Sequence, residues 1–482
     1  MPCAKHCNGD QLCSGWRLSF VAVAMVGLFA LLLWPPNVQA VPSFARQTNM
    51  PCSACHTNPP ELTPLGRTFK LNGYTMKGIN VITAAPAKES AGLTLLSYLP
   101  LSVMFEVSNT GLRKPEPDTQ NWDFSLPQNV SLFLAGAYGN HLGGFVQVTY
   151  DPQSDHFTWD NTDIRFARSK SIKGKPVAWG IYMNNNPTVE DLWNSTPAWG
   201  FPWIASTSVP TPTAAPLIDG PLAEDVAGVG GYAMVNRHLY GAVATYRSSH
   251  LGQTLPNPGT GFDINIQGAA PYWRLAWQQT MGNNYLEVGT YGIHVRSTPQ
   301  MVTGPENTYT DFAFDTQYER TIPRFRNNLL TLHATYIREN SNLTADFDNG
   351  TAAFSQHYLN TMQANAVYHF GYRYAPAFRY FITNGTTDPL LYTPAPIIGS
   401  LTGSPRSEGF IGNFTYWPIQ NVRLAVQYTH YTEFNGAGTN YDGAGRKQAI
   451  TALCISTWAY FSNESVVRNW QIRPFDQLPD YS

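Results

Sequence analysis

The chain has 482 residues, with 30 lysines and arginines against 32 aspartates and glutamates, a formal net charge of −2. That balance excludes the basic surface that phosphate backbones require, so no nucleic-acid partner is expected. Charged residues and aromatics each make up 13% of the chain, where soluble domains carry about 25% charge. Such a surface suits lipid, and equally suits an acidic medium, in which paired carboxylates are lost to protonation.

In chain order, residues 1–40 read as a secretory signal peptide. Lys5 and Arg17 form its positive region, Ser19 to Trp34 an apolar run too short for a confident span, and Val38-Gln39-Ala40 a small-x-small cleavage site. An uncleaved anchor helix is the alternative. No cysteine follows the cut, which argues against a lipoprotein anchor. Removal of Lys5, Arg17 and Asp10 leaves 28 basic and 31 acidic residues. Cys3, Cys7 and Cys13 leave with the leader.

Residues 41–91 form a separate small segment built on Cys52-Ser53-Ala54-Cys55-His56. Two thiols flanking two small residues, with a histidine next, are the attachment pattern of one covalent haem c. Each thiol adds across one vinyl group, and His56 offers its imidazole to the iron as proximal ligand. A redox dithiol or a zinc cluster are the other readings of such a cluster, but no second C-x-x-C or spaced histidine pair lies nearby. With Cys52 and Cys55 on haem, Cys454 stands alone and the mature chain has no internal disulfide. Export and haem attachment agree on an oxidising compartment outside the cytoplasm. A short helix is predicted over 63–71, with Thr63 as N-cap, Pro64 in the first turn and Gly73 beyond the end. Leu62, Leu65, Phe69 and Leu71 are expected on the haem edge, and Arg46, Arg67 and Lys70 as propionate partners or solvated charges. Met76 is the nearest candidate for the distal iron ligand; Met50 is too close to His56, and His141 or His333 would have to come from the later chain.

Residues 92–461 show no long amphipathic helix. Short alternating runs are broken by Gly, Asn and Pro instead. Leu330, Leu332, Ala334 and Tyr336 face one way, and Thr331, His333, Thr335 and Ile337 the other. The runs over 142–150 and 422–429 alternate in the same manner. Apolar-out, polar-in alternation predicts an all-β fold, an antiparallel transmembrane β-barrel. About sixteen strands are counted, starting near 97, 129, 142, 162, 176, 227, 239, 271, 285, 310, 329, 360, 376, 408, 421 and 448. Gly139-Asn140-His141, Asn236-Arg237-His238 and Gly282-Asn283-Asn284 are expected to be short periplasmic turns, and 250–268, 296–309, 339–356 and 384–407 outer loops. Tyr150, Trp273, Trp277, Tyr336, Tyr416, Trp417, Tyr428 and Tyr460 are expected in interfacial girdles. The stretch 184–225, rich in Pro and Trp, either enters the lumen, packs on the haem segment, or stays outside as a stiff loop. Asp155, Asp160, Glu190 and Asp191 are acidic loop residues that strong acid would protonate, making them poor ligands for a metal cation. A β-sandwich or propeller is the soluble alternative, though no blade-length repeat is present. A polar tail runs from 462 to 482.

Phe44-Ala45-Arg46-Gln47-Thr48, Cys52-x-x-Cys55-His56, Pro60, Leu62 and Gly66-Arg67-x-Phe69-Lys70-x-x-Gly73-Tyr74 resemble the outer-membrane cytochrome–porin fusions of iron-oxidising bacteria, above all the acidophile members. The resemblance covers about 35 residues in the haem segment; the barrel is similar in length and character alone. Asn49 stands where that family usually has Gly, and the tail follows Phe461, the expected terminal aromatic. The resemblance implies a ferrous iron oxidase at the cell surface. Its donor is Fe2+, and its acceptor is a periplasmic blue copper protein or soluble cytochrome c. Because one haem cannot bridge a hydrocarbon layer of ~30 Å, the haem segment is expected inside or against the lumen. The alternatives are a transport porin with a redox-sensitive haem plug and the outer sheath of a multi-haem conduit.

Overall fold

In the computed structural model, the described residues are 42–76, 81–83, 94–96, 100–113, 121–152, 155–195, 211–249, 265–299, 304–323, 328–371, 373–392, 400–439 and 451–461. The signal peptide and the tail lie outside them. Sixteen long strands form one antiparallel sheet: β1 (Leu101–Leu112), β2 (Asp123–Ala137), β3 (Leu142–Asp151), β4 (His156–Ile172), β5 (Lys175–Asn184), β6 (Val226–Val235), β7 (Leu239–Ser248), β8 (Ala270–Met281), β9 (Asn284–Thr298), β10 (Asn307–Ile322), β11 (Asn328–Leu343), β12 (Gln356–His369), β13 (Tyr374–Gly385), β14 (Ser407–Ile419), β15 (Val422–Glu433) and β16 (Thr451–Phe461). Each pairs with its sequence neighbours. β16 pairs back on β1, from Ala452 opposite Leu112 to Phe461 opposite Val103, so the sheet closes and no edge remains. A two-residue strand, Asn265–Ile266, adds to β9, and Val81–Thr83 pairs with Thr94–Leu96 as a separate ribbon.

The alternation works as expected. On β11, Leu332 and Tyr336 face outward at 38% and 40% exposure, while Thr331, Thr335 and Ile337 are buried in the lumen. Ile181, Val243, Leu275, Phe314, Phe378 and Val426 continue the outward apolar band. Strand starts agree with the sequence expectation to within four residues except near 129 and 162, where the strands begin six residues earlier, at Asp123 and His156. β2 runs through Pro127, which reads locally as a breaker. Trp417 departs from its expected place. It falls one position after the outward Tyr416, points inward and is buried against Val367, Ala375 and Ala377. The expected loops at 296–309 and 339–356 are shorter, because β9, β10 and β11 run into them.

Seven connections of two to five residues lie at one end of the barrel; the longer ones, including 185–225, 249–269 and 386–406, lie at the other. In such barrels the short turns are periplasmic. Both ends of the wall, Leu101 and Phe461, are at the short-turn end.

Candidate functional site: the Cys52–His56 turn in the short-turn mouth

Three short helices precede the barrel: α1 (Ser43–Thr48), α2 (Cys52–Cys55) and α3 (Pro64–Leu71). α1 ends on Asn49 in the left-handed conformation, φ 56°. Asn tolerates that conformation better than other side chains, so it serves where Gly would. α3 begins as its sequence predicts, with the Thr63 hydroxyl accepting from the Gly66 N–H. The same hydroxyl donates to the Ala54 carbonyl at 2.6 Å, and the Thr63 N–H donates to the Cys55 carbonyl at 2.9 Å. One residue therefore ties α3 to the Cys52–His56 turn. A Cβ on Gly66 would collide with the Cys55 carbonyl, so only glycine allows this approach.

The segment sits within the barrel mouth. The Cys52 N–H donates to Gln420 Oε1 in the β14–β15 turn at 3.1 Å. Ser43 donates to the Ala135 carbonyl, Tyr74 to Asp163 at 2.5 Å, and Tyr232 to the Leu71 carbonyl at 2.5 Å. Arg67 pairs with Glu319 of β10 at 2.5 Å, with both side chains buried. These partners come from β2, β4, β6, β10 and the β14–β15 turn, around the circumference of one mouth.

Arg67 and Lys70 are both engaged within the mouth. Arg67 holds Glu319 and the Leu62 carbonyl, and Lys70 donates to the carbonyls of Val189 and Asp191. Arg46 donates to the Leu101 carbonyl. Phe69 packs on Tyr74, Phe145 and Val189, and Leu71 against the wall cluster of Tyr182 and Tyr232. Both face the barrel rather than the Cys52–His56 turn.

His56 follows α2 in extended backbone and bridges to Leu62. Its Nδ1 lies 3.2 Å from the Glu61 carbonyl. As donor there, Nδ1 fixes the ring and leaves Nε2 for a metal, the usual arrangement of a ligating histidine. Burial lowers the His56 pKa and so favours the neutral ligating form. Burial pushes Cys52 up to about 11 and Cys55 up to about 12. A reactive dithiol shows the opposite shift.

Beside this turn, the Glu61 carboxylate lies 3.7 Å from His333 of β11 and 3.8 Å from His369 of β12. Both polar atoms of the Asn58 side chain, Glu61 Oε1, His333 Nε2 and His369 Nε2 are buried without a hydrogen-bond partner among the described residues. Such atoms are ordinarily satisfied by a ligand or water. Two thiols one turn apart, an oriented imidazole and unspent polar atoms fit a haem c. Among the described residues no group of three or more His, Cys, Asp and Glu stands ready for a metal ion. Met76 packs on the Phe69–Tyr74 cluster at the β2–β3 wall. His141 is exposed, with its ring 6.0 Å from the outward Phe166, so it does not face the haem segment.

Sequence reasoning left the β5–β6 connection open. Its described parts, 185–195 and 211–225, enter the lumen. Leu192 and Trp193 are buried, and Trp193 donates to Tyr285 at 2.6 Å. Glu190 accepts from Tyr240 and Tyr272. Further on, the N–H groups of Leu217 and Ile218 donate to Glu339 and Asp311. Glu190 and Asp191 are therefore lumen anchors rather than surface loop acids, and Asp160 belongs to β4. The polar lumen faces of β9, β10 and β11 were legible; that a loop would spend them was not.

No family model and no curated relative matches the chain. Solved barrels do. An OmpF of Salmonella typhi in complex with daunomycin is 12% identical, covering 75% of this chain and 97% of that one at a TM-score of 0.43. An anion-selective porin of Comamonas acidovorans is 11% identical, covering 75% and 98% at 0.42. A loop-deletion mutant of OmpT from Vibrio cholerae is 10% identical, covering 75% and 98% at 0.39. Sixteen closed antiparallel strands, an outward apolar band, and short turns at one end define a porin-type β-barrel of the outer membrane.

Proposed function

We propose that this barrel is a monohaem outer-membrane cytochrome that oxidises extracellular Fe2+ and passes the electron to a periplasmic carrier, a blue copper protein or a soluble cytochrome c. The observation that carries the reading is the seat of Cys52–His56: a haem-binding turn, tied by Gln420 to the periplasmic mouth of a lumen that the segment and the β5–β6 connection occupy at two levels. A filled lumen suits electron transfer better than solute flow.

Haem bound there supplies a one-electron iron couple. Cys52 and Cys55 hold it, and the Glu61 carbonyl orients His56. No acid or base is required, since outer-sphere transfer moves no heavy atom between partners. Trp193, Tyr285 and Arg67, whose guanidinium lies 4.4 Å over the Tyr285 ring, form continuous packed matter from the inserted connection to the haem segment. The resemblance of the haem segment to the cytochrome–porin fusions supports the same reading.

The test is a visible spectrum of the purified oxidised protein before and after Fe2+ is added at acid pH. Sharp reduced c-type bands within seconds are expected. Haem that dithionite reduces and Fe2+ does not would refute the oxidase. The second reading, a transport porin with a redox-sensitive plug, rests on the barrel architecture, since sixteen strands can enclose an aqueous lumen. Single-channel conductance that changes with haem redox state would favour it.

A further inference from the structure

The β4–β5 hairpin differs from the other short turns. Its tip, Lys173-Gly174, has φ of 50° and 76°, a tight two-residue turn. From Arg168 to Pro176 every residue is exposed, on both faces of the ribbon, so the arm extends past the rim. It carries Arg168, Lys170, Lys173 and Lys175, and no carboxylate lies between Asp163 and Glu190.

The outward face of this ribbon is ordered by depth. Cross-strand pairs run Ile164–Met183, Phe166–Ile181, Arg168–Trp179, Lys170–Val177 and Ile172–Lys175. Met183 and Ile181 are 53% and 57% exposed and belong to the lipid-facing band. The cations begin where that band ends. The Arg168 guanidinium lies 5.7 Å from the Phe166 ring centroid, and Trp179 lies 6.3 Å from the same ring. Tryptophan at this level marks the headgroup boundary. At the long-loop end Arg296 pairs with Glu306, and Arg406 with Glu408 and Glu433. None of the four hairpin cations has an ion pair among the described residues. Unpaired cations beside an interfacial Trp, with no acid in reach, call for an anion from outside the chain. At that depth the anion is a phosphodiester, which keeps its charge in acid where a carboxylate would be protonated.

We infer that the β4–β5 hairpin is a binding site for anionic phospholipid headgroups of the periplasmic leaflet. Arg168 and Lys170 face the lipid, and Lys173 and Lys175 extend the site beyond it.

The test uses the full chain in nanodiscs of phosphatidylcholine with or without phosphatidylglycerol. Native mass spectrometry then counts the lipids retained on release. Phosphatidylglycerol should be retained over phosphatidylcholine, and retention should fall about fivefold for each cation removed in Arg168→Gln, Lys170→Gln and the quadruple glutamine variant. Arg406→Gln, at the opposite rim, should retain lipid as the parent does. Heat-shifted migration on gels confirms that each variant is folded. Equal retention by the folded quadruple variant would overturn the site. Loss of the retained lipid to millimolar inorganic phosphate would overturn the lipid assignment in favour of free phosphate. Unchanged retention with slower haem reoxidation by ferricyanide would reassign the arm to docking of a soluble anionic acceptor, and the lipid proposal would fall.

Discussion

Gly66 marks the tightest point of the N-terminal segment, because α3 crosses the Cys55 carbonyl where a Cβ would stand. Gly66→Ala should push α3 off the turn at a cost of about 1–3 kcal/mol. The expected outcome is a lower haem-to-protein absorbance ratio, with barrel migration on gels unchanged. A normal ratio would show that the turn does not depend on this contact. Lys70 gives a pH test. Burial, with Arg165 next in size, pushes its ammonium down to about 8 from an ordinary 10.5. Between those values the unfolded chain holds a proton that the folded chain has shed, so stability rises with pH across the window. Melting temperatures should climb from pH 8 to pH 10.5, and Lys70→Met should flatten that slope. The cysteine and histidine spacing of the site was legible in sequence, since C-x-x-C-H is local. The spending of Arg67 and Lys70 was not, because Glu319 and Asp191 are far along the chain and only barrel closure brings them near.

Among the elements, the β5–β6 connection is the one held by buried charge. Arg274 of β8 reaches Asp315 at 2.7 Å, Glu287 at 3.3 Å and Asp191 of the connection at 3.4 Å, all buried. Ser195 of the same connection donates to Asp315 at 2.5 Å, and the Thr335 hydroxyl donates to the Ser195 carbonyl. Arg274→Met leaves three buried carboxylates without their cation, a loss of about 3–5 kcal/mol. We expect limited proteolysis to cut within 185–225 in this variant and not in the parent. An unchanged digest would show that Trp193 and Glu190 suffice to hold the connection.

For the whole molecule, two segments enter one lumen, and conductance separates them. The intact protein should show little current in planar bilayers. Deletion of 42–76 should open a narrow pore, still limited by the β5–β6 connection, and deletion of 187–218 as well should open a wide one. A pore in the intact protein equal to that of the first deletion would refute plugging by the haem segment.

Period-two alternation is a property of neighbours in sequence, so the chain alone determined the barrel, its approximate strand number and its inward and outward faces. The attachment turn and the Thr63 cap are equally local. What fills the lumen is decided by contacts between residues a hundred or more positions apart, such as Arg67 with Glu319 and Ser195 with Asp315. An isolated polar alternation cannot say whether water, a loop or a plug will meet it. Closure of β16 on β1 gives the lumen a circumference, and that geometry alone places the Cys52–His56 turn at the short-turn mouth.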